Sequence, residues 1–180
     1  MKVLAFAASN SRNSINRALV DYAAAKLKAE ILPQAIVEFL DLNDFEMPIY
    51  SIDRETNSGI PAEAQAFFDK IGTADAILIS FAEHDGFVTA AWKNIFDWMS
   101  RIEMKLWQGK PMVMLAATPG QRAGAGVLGS QQGLNSRFGA ELRGTLGIGM
   151  WSESWDAENQ LLINPKDRDD LESALRTLAA

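Results

Sequence analysis

The chain contains no cysteine and only one histidine, His84. Without thiols it forms no disulfide, no thiolate nucleophile, no zinc–thiolate site and no iron–sulfur cluster. A single imidazole cannot build a multi-histidine metal centre. Positive charge is also in short supply. Lys and Arg number 17 against 23 Asp and Glu, a formal net charge of −6. That balance argues against a general nucleic-acid binder, which carries a basic face to neutralise phosphates. A small phosphate ligand is still accessible, because backbone N–H groups and one arginine suffice locally. No apolar run approaches the ~18 residues of a bilayer span, so no membrane role is expected. The opening "MKVLAFAAS" has one Lys and a short apolar stretch, but Asn10, Arg12 and Asn13 follow too soon for a signal peptide. It reads as the first strand of a cytoplasmic protein.

What is present is ample core material. The 180 residues are 48% hydrophobic and 22% charged, which suits one domain spanning 1–180. Val3 to Ala8, Ile36 to Leu42, Asp75 to Phe81 and Pro111 to Ala117 are short apolar runs, as expected of strands buried on both faces. A fifth strand is expected within Leu142 to Trp151, weakened by its glycines. Helical spacing marks the segment from Ser14 to about Leu32, then Ala62 to Ile71 behind Pro61, Val88 to Ile102, Leu128 to Phe138, and Pro165 onward. Between the second strand and Pro61 lies a long, turn-rich stretch of the kind that is often functional. Strands alternating with helices predict a doubly wound α/β domain with a five-stranded parallel sheet in the flavodoxin-like order 2-1-3-4-5. Ligands of such sheets bind beyond the carboxyl ends of the strands. Here that edge is made by the loops starting at Ser9, Ala82 and Thr118.

The first loop, "SNSRNSIN", packs serine, asparagine and Arg12 into the start of a helix. Asn13 or Ser14 can cap that helix. One cap leaves the other polar residues without a purpose, whereas an anion site at the helix start uses them all. The second loop, "AEHDGF", places His84 between Glu83 and Asp85 and assembles no nucleophilic triad. The third, "TPGQRAGAGVLG", contains a literal G-x-G-x-x-G at Gly124, Gly126 and Gly129. A dinucleotide fingerprint belongs directly after the first strand, so this match reads as coincidence. The P-loop pattern and G-x-S-x-G are both absent. Trp98, Met99, Met104 and Trp107 near the end of the strongest helix are a candidate subunit contact.

With these three loops at one sheet edge, the chain resembles the NAD(P)H-dependent FMN reductase family, which includes quinone, chromate and azo-dye reductases. The family's first loop reads G-S-x-R-x-x-S-x-N; Ser9, Ser14 and Asn16 match it at the family's spacing, Ala8 replaces the glycine, and the arginine is displaced by one position to Arg12. Its second loop, P-E-Y-N-G-S followed by L-K-N-A-I-D-W, is matched by Glu83, Gly86, Lys93, Asn94, Asp97 and Trp98. Ala82, His84, Asp85 and Phe87 depart from that pattern. Thr118-Pro119-Gly120 resembles the family's S-P-x-x-x-G-G stretch.

The resemblance implies FMN as cofactor, its phosphate held by Ser9, Ser11, Arg12, Ser14, Ile15 and Asn16. The flavin ring would lie against Glu83, His84, Asp85 and Gly86 and against Thr118, Pro119 and Gly120. NADPH or NADH would supply hydride, and a small-molecule acceptor such as a quinone, an azo dye or a metal oxyanion would receive it. No side chain need act as acid or base, because the cofactor carries the hard chemistry. A homodimer or homotetramer is implied too. The alternatives are a flavodoxin-like electron carrier, whose phosphate loop T-x-T-G-x-T this chain lacks, and a flavin-binding regulatory module without turnover.

Overall fold

The computed structural model describes residues 1–179. In chain order the elements are β1 Lys2–Ala8, α1 Ile15–Lys26, β2 Ile36–Leu40, α2 Ile52–Ser58, α3 Ala62–Thr73 and β3 Ala76–Phe81. A hairpin follows, β4 Glu83–His84 and β5 Phe87–Val88, then α4 Ala90–Ile102, β6 Pro111–Ala117, α5 Ala125–Arg137 and β7 Glu141–Ile148. The chain closes with α6 Trp151–Ser154, β8 Trp155–Asp156, β9 Leu161–Leu162 and α7 Pro165–Arg176.

The five long strands form one sheet in the order β2-β1-β3-β6-β7, every neighbouring pair parallel. Counting long strands alone, this is the expected 2-1-3-4-5. Each central strand is apolar on both sides because both faces are covered. Val3, Ala5, Leu78, Val113 and Leu115 meet α1 and α7, packing with Leu19, Ala23, Leu171 and Leu175. Their neighbours Leu4, Phe6, Ile77, Ile79, Met112 and Met114 point the other way, into a core shared with Phe67 of α3, Trp92 and Met99 of α4, and Val127 of α5. Trp92 is central there, with rings of Phe6, Phe67, Phe96 and Trp107 around it.

Register brings the carboxyl ends level. Ala8 lies opposite Phe81, and Phe81 opposite Ala116. The loops that begin at Ser9, Ala82 and Thr118 therefore leave the sheet side by side. The chain runs from β1 outward to β2 and then crosses to β3 on β1's other flank, so the strand order reverses at β1.

Several boundaries differ from the sequence expectation, each for a local reason. β2 stops at Leu40, because the Asp41 carboxylate caps a 3₁₀ turn, Leu42–Phe45, that sends Leu42 and Phe45 into the core. The stretch before Pro61 is not all loop: Ser51 caps α2, whose side chains are all at least partly exposed. α4 starts at Ala90 rather than Val88, since Phe87 and Val88 pair with Glu83 and His84 and Thr89 supplies the cap. α5 starts at Ala125 rather than Leu128, which places Gly126 and Gly129 inside a helix. β7 starts at Glu141 and ends at Ile148, leaving Trp151 to α6. The expected subunit contact is corrected as well. Trp98 and Trp107 are fully buried inside this chain, their indole N–H groups bonded to Pro48 O and Asn135 Oδ1. Met104 alone of that group stays exposed. Among the described residues no helix is long and apolar enough to cross a membrane.

Candidate functional site

The first loop divides into framework and open groups. Ser9 is buried, and its Oγ accepts the Ser11 N–H at 3.2 Å, tightening the turn as the chain leaves β1. Ser14 is the helix cap: its Oγ accepts the Arg17 N–H at 3.3 Å. Ile15 packs its side chain against the core beside α1. Asn16 can meet a ligand through its backbone N–H but not through its side chain. Its amide is buried, with Oδ1 accepting from Ser80 Oγ at 2.7 Å and from the Ala117 N–H at 2.8 Å, while Nδ2 donates to Ala117 O at 3.0 Å. The side chain therefore ties α1 to β3 and β6 and is not open to a ligand. Ser11 and Arg12 are exposed. They line a polar hollow of about 230 Å³ with Ser9, Arg17, Asp21 and Asp41. Arg17 is engaged by Asp21 at 2.7 Å, and Asp41 accepts from the Asn43 backbone and side-chain amides. α1 has no acidic residue in its first turn. The N–H groups of Ile15 and Asn16, first in the helix, have no acceptor within it.

The second loop is a tight hairpin. Glu83 pairs with Val88 and His84 with Phe87. Asp85 and Gly86 both have positive φ, 53° and 82°, the backbone that a two-residue Asp-Gly turn requires. His84, Asp85 and Phe87 are exposed at its tip. The Glu83 carboxylate turns away from the tip and accepts the Val127 N–H at 3.0 Å, at the start of α5. Gly126 makes that approach feasible: a Cβ there would lie 2.5 Å from Glu83 Oε1 and 3.0 Å from Gly86 O. The hairpin is held at its other end by Thr89, whose hydroxyl donates to Ala8 O at 3.0 Å while accepting the Trp92 N–H at 3.2 Å.

The third loop is braced from β7. Thr118 is buried, its N–H bonded to Ile148 O and its hydroxyl to Gly120 O, and Trp151 and Met150 donate to Thr118 O and Gly120 O. Pro119 and Gly120 are exposed beside it. Thus Ser11, Arg12, His84, Asp85, Gly86, Pro119 and Gly120 present open surface, while Ser9, Ser14, Asn16, Glu83 and Thr118 are the frame.

A larger cleft, about 450 Å³, adjoins the first of these loops at Asn10 and is otherwise lined by residues outside all three. Asn10 of the first loop and Ala90 and Ala91, just past the hairpin, form one side; Phe45, Met47, Ile49 and Tyr50 form the other. The Tyr50 hydroxyl donates to Glu55 at 2.9 Å, and that bond, with some desolvation, pushes the phenol's pKa up. The only prior sign of this wall was the turn-rich stretch before Pro61.

A NADPH:quinone oxidoreductase of Arabidopsis thaliana is 32% identical over 120 residues, which cover 67% of this chain and 59% of the relative. A quinone reductase of Escherichia coli K12 is 27% identical over 129 residues, covering 69% and 64%. This chain thus spans less than two thirds of the length of these relatives. The solved flavoenzyme NAD(P)H:(acceptor) oxidoreductase of Paracoccus denitrificans superposes with a TM-score of 0.77 at 20% identity, covering 98% of this chain and 94% of its own, a likeness of fold. Residues 1–140 match the family described as NADPH-dependent FMN reductase. The chain belongs to that family.

Proposed function

We propose that the protein is an FMN-dependent oxidoreductase that takes reducing equivalents from NADPH or NADH and passes them to quinone, azo or similar acceptors. The observation that carries this reading is the start of α1. It offers two N–H groups without helical acceptors, the Ser11 hydroxyl and Arg12, and no acid in the first turn. A phosphate monoester fits that donor set, because a helix start favours an anion and a guanidinium binds it with paired N–H groups. The hollow is large enough for a phosphate and part of its ribityl chain, not for a whole flavin. The ring would rest between the hairpin tip, His84, Asp85 and Gly86, and the Pro119–Gly120 turn.

When bound, FMN supplies the redox chemistry, accepting hydride and returning electrons to an acceptor. The chain's own work is placement. Asn16 and Thr89 set the loops against the sheet, Glu83 and Thr118 fix the two ring-facing turns, and Ser9 and Ser14 shape the phosphate loop. The names of the relatives support quinones as acceptors. The reading keeps one domain over 1–180, a cytoplasmic setting, and a homodimer or homotetramer.

Two measurements test it. NADPH added anaerobically to the FMN-loaded protein bleaches the flavin; a flavin that stays yellow sinks the enzyme reading in favour of a carrier or a regulatory module. Arg12→Ala weakens FMN about tenfold or more, the cost of losing a charged hydrogen bond, and leaves riboflavin affinity unchanged. Equal loss for both flavins would mean that this loop does not hold the phosphate.

A further inference from the structure

Residues 46–50 run between the 3₁₀ turn and α2 without regular structure, so their backbone groups need partners from elsewhere. Arg54 donates to Ile49 O, and two side chains of α4 provide most of the rest. Asn94 Oδ1 accepts the Tyr50 N–H at 2.8 Å, and its Nδ2 donates to Met47 O at 3.1 Å and Pro48 O at 3.2 Å. One helical turn on, Trp98 Nε1 donates to Pro48 O at 2.7 Å. The Tyr50 ring meets the Trp98 ring edge-on at 5.0 Å. Asn94 and Trp98 thereby pin a four-residue strip that has no ladder of its own, and that strip is the outer wall of the 450 Å³ cleft.

The cleft has a definite chemistry. Phe45, Met47, Tyr50, Ala91 and Ile95 make it mainly apolar, with the Asn10 amide at the end next to the phosphate loop. Its charged rim is Glu46, Lys93 and Asp97, and Lys93 is already paired with Asp97 at 2.7 Å. A net acidic rim repels an anion and leaves a flat neutral ring with hydrogen-bond acceptors as the favoured guest. The volume lies within the usual range for small-molecule sites.

We propose that Asn94 and Trp98 are positioning residues for the electron acceptor: by holding Met47–Tyr50 they shape a cleft for neutral quinones rather than metal oxyanions. This rests on the oxidoreductase reading above. It also gives a structural purpose to two residues of the stretch "WKNIFDW" whose side-chain hydrogen bonds all go to Met47, Pro48 and Tyr50.

The test compares FMN-loaded wild type, Asn94→Ala and Trp98→Phe, with NADPH as donor and benzoquinone, a naphthoquinone or chromate as acceptor. FMN affinity is followed separately by flavin fluorescence. Asn94→Ala raises the KM for both quinones by about tenfold, changes the preference between them, and leaves FMN affinity and chromate KM where they were. Trp98→Phe keeps an aromatic ring against Tyr50 but loses the N–H donor and part of the indole's bulk, so it moves quinone KM in the same direction. Unchanged quinone KM in both variants overturns the inference, and so does a fall in FMN affinity that parallels the KM change. A wild-type flavin that NADPH does not bleach overturns the functional reading itself and this inference with it.

Discussion

Asn16 shows how one side chain can settle the geometry of a binding loop without touching the ligand. Three hydrogen bonds join it to Ser80 and to both backbone groups of Ala117, all in the interior. Asn16→Ala leaves those partners buried and unsatisfied, and each such group costs about 1–3 kcal/mol. The expected result is a loss of roughly 3 kcal/mol in urea unfolding, with FMN affinity falling as α1 loosens. A variant as stable as wild type would show that water or a neighbour replaces the amide. This role was not legible in the sequence. Asn16 lies 101 residues from Ala117 in the chain, and nothing local separates a ligand-facing asparagine from a buried one. Glu83 was hidden in the same way, its partner Val127 lying 44 residues on.

At the scale of elements, the long strands were readable because burial on both faces leaves an uninterrupted apolar run, as in "VLAFAA" and "PMVMLAA". The short elements were not. Two-residue strands such as Glu83–His84 and the seven-residue α2 hold too few residues to express a period. One element carries a pH-dependent contact. Glu38 of edge strand β2 is paired with Lys2 of β1 and Lys70 of α3. Those partners, Lys2 first, hold its carboxyl below the ordinary glutamate range despite partial desolvation. A depressed folded-state pKa means the stabilisation is fully present above the unfolded value, near 4.3, and fades as pH falls through the folded one. Thermal melts of Glu38→Gln should therefore converge on wild type as pH drops below about 4, having been less stable at neutral pH. A constant gap across that window would remove Glu38 from the acid transition.

Across the whole molecule, both core clusters are built on alternate residues of the same strands, so neither face can come apart alone. One cooperative unfolding transition is expected. FMN at a hundredfold excess over its Kd adds about 2.7 kcal/mol, which raises the midpoint by roughly 5–10 °C for a chain of this size. Riboflavin, lacking the phosphate, shifts it less. Equal shifts for the two would place the binding energy in the ring contacts rather than at α1.

The start of α5 has a consequence for the glycine pattern that opens it. The positive end of that helix already has its anion, the Glu83 carboxylate on the Val127 N–H, and Gly126 is small so that this internal guest can sit close. A pyrophosphate arriving there would have to evict a side chain tethered to the same molecule, at an effective concentration no free nucleotide reaches. α1 begins with no acid of its own. Of the helix starts at this sheet edge, those of α1 and α5 are therefore unequal: α5 carries its own anion, and α1 has no acid in its first turn. Between these two, a phosphate is left only α1.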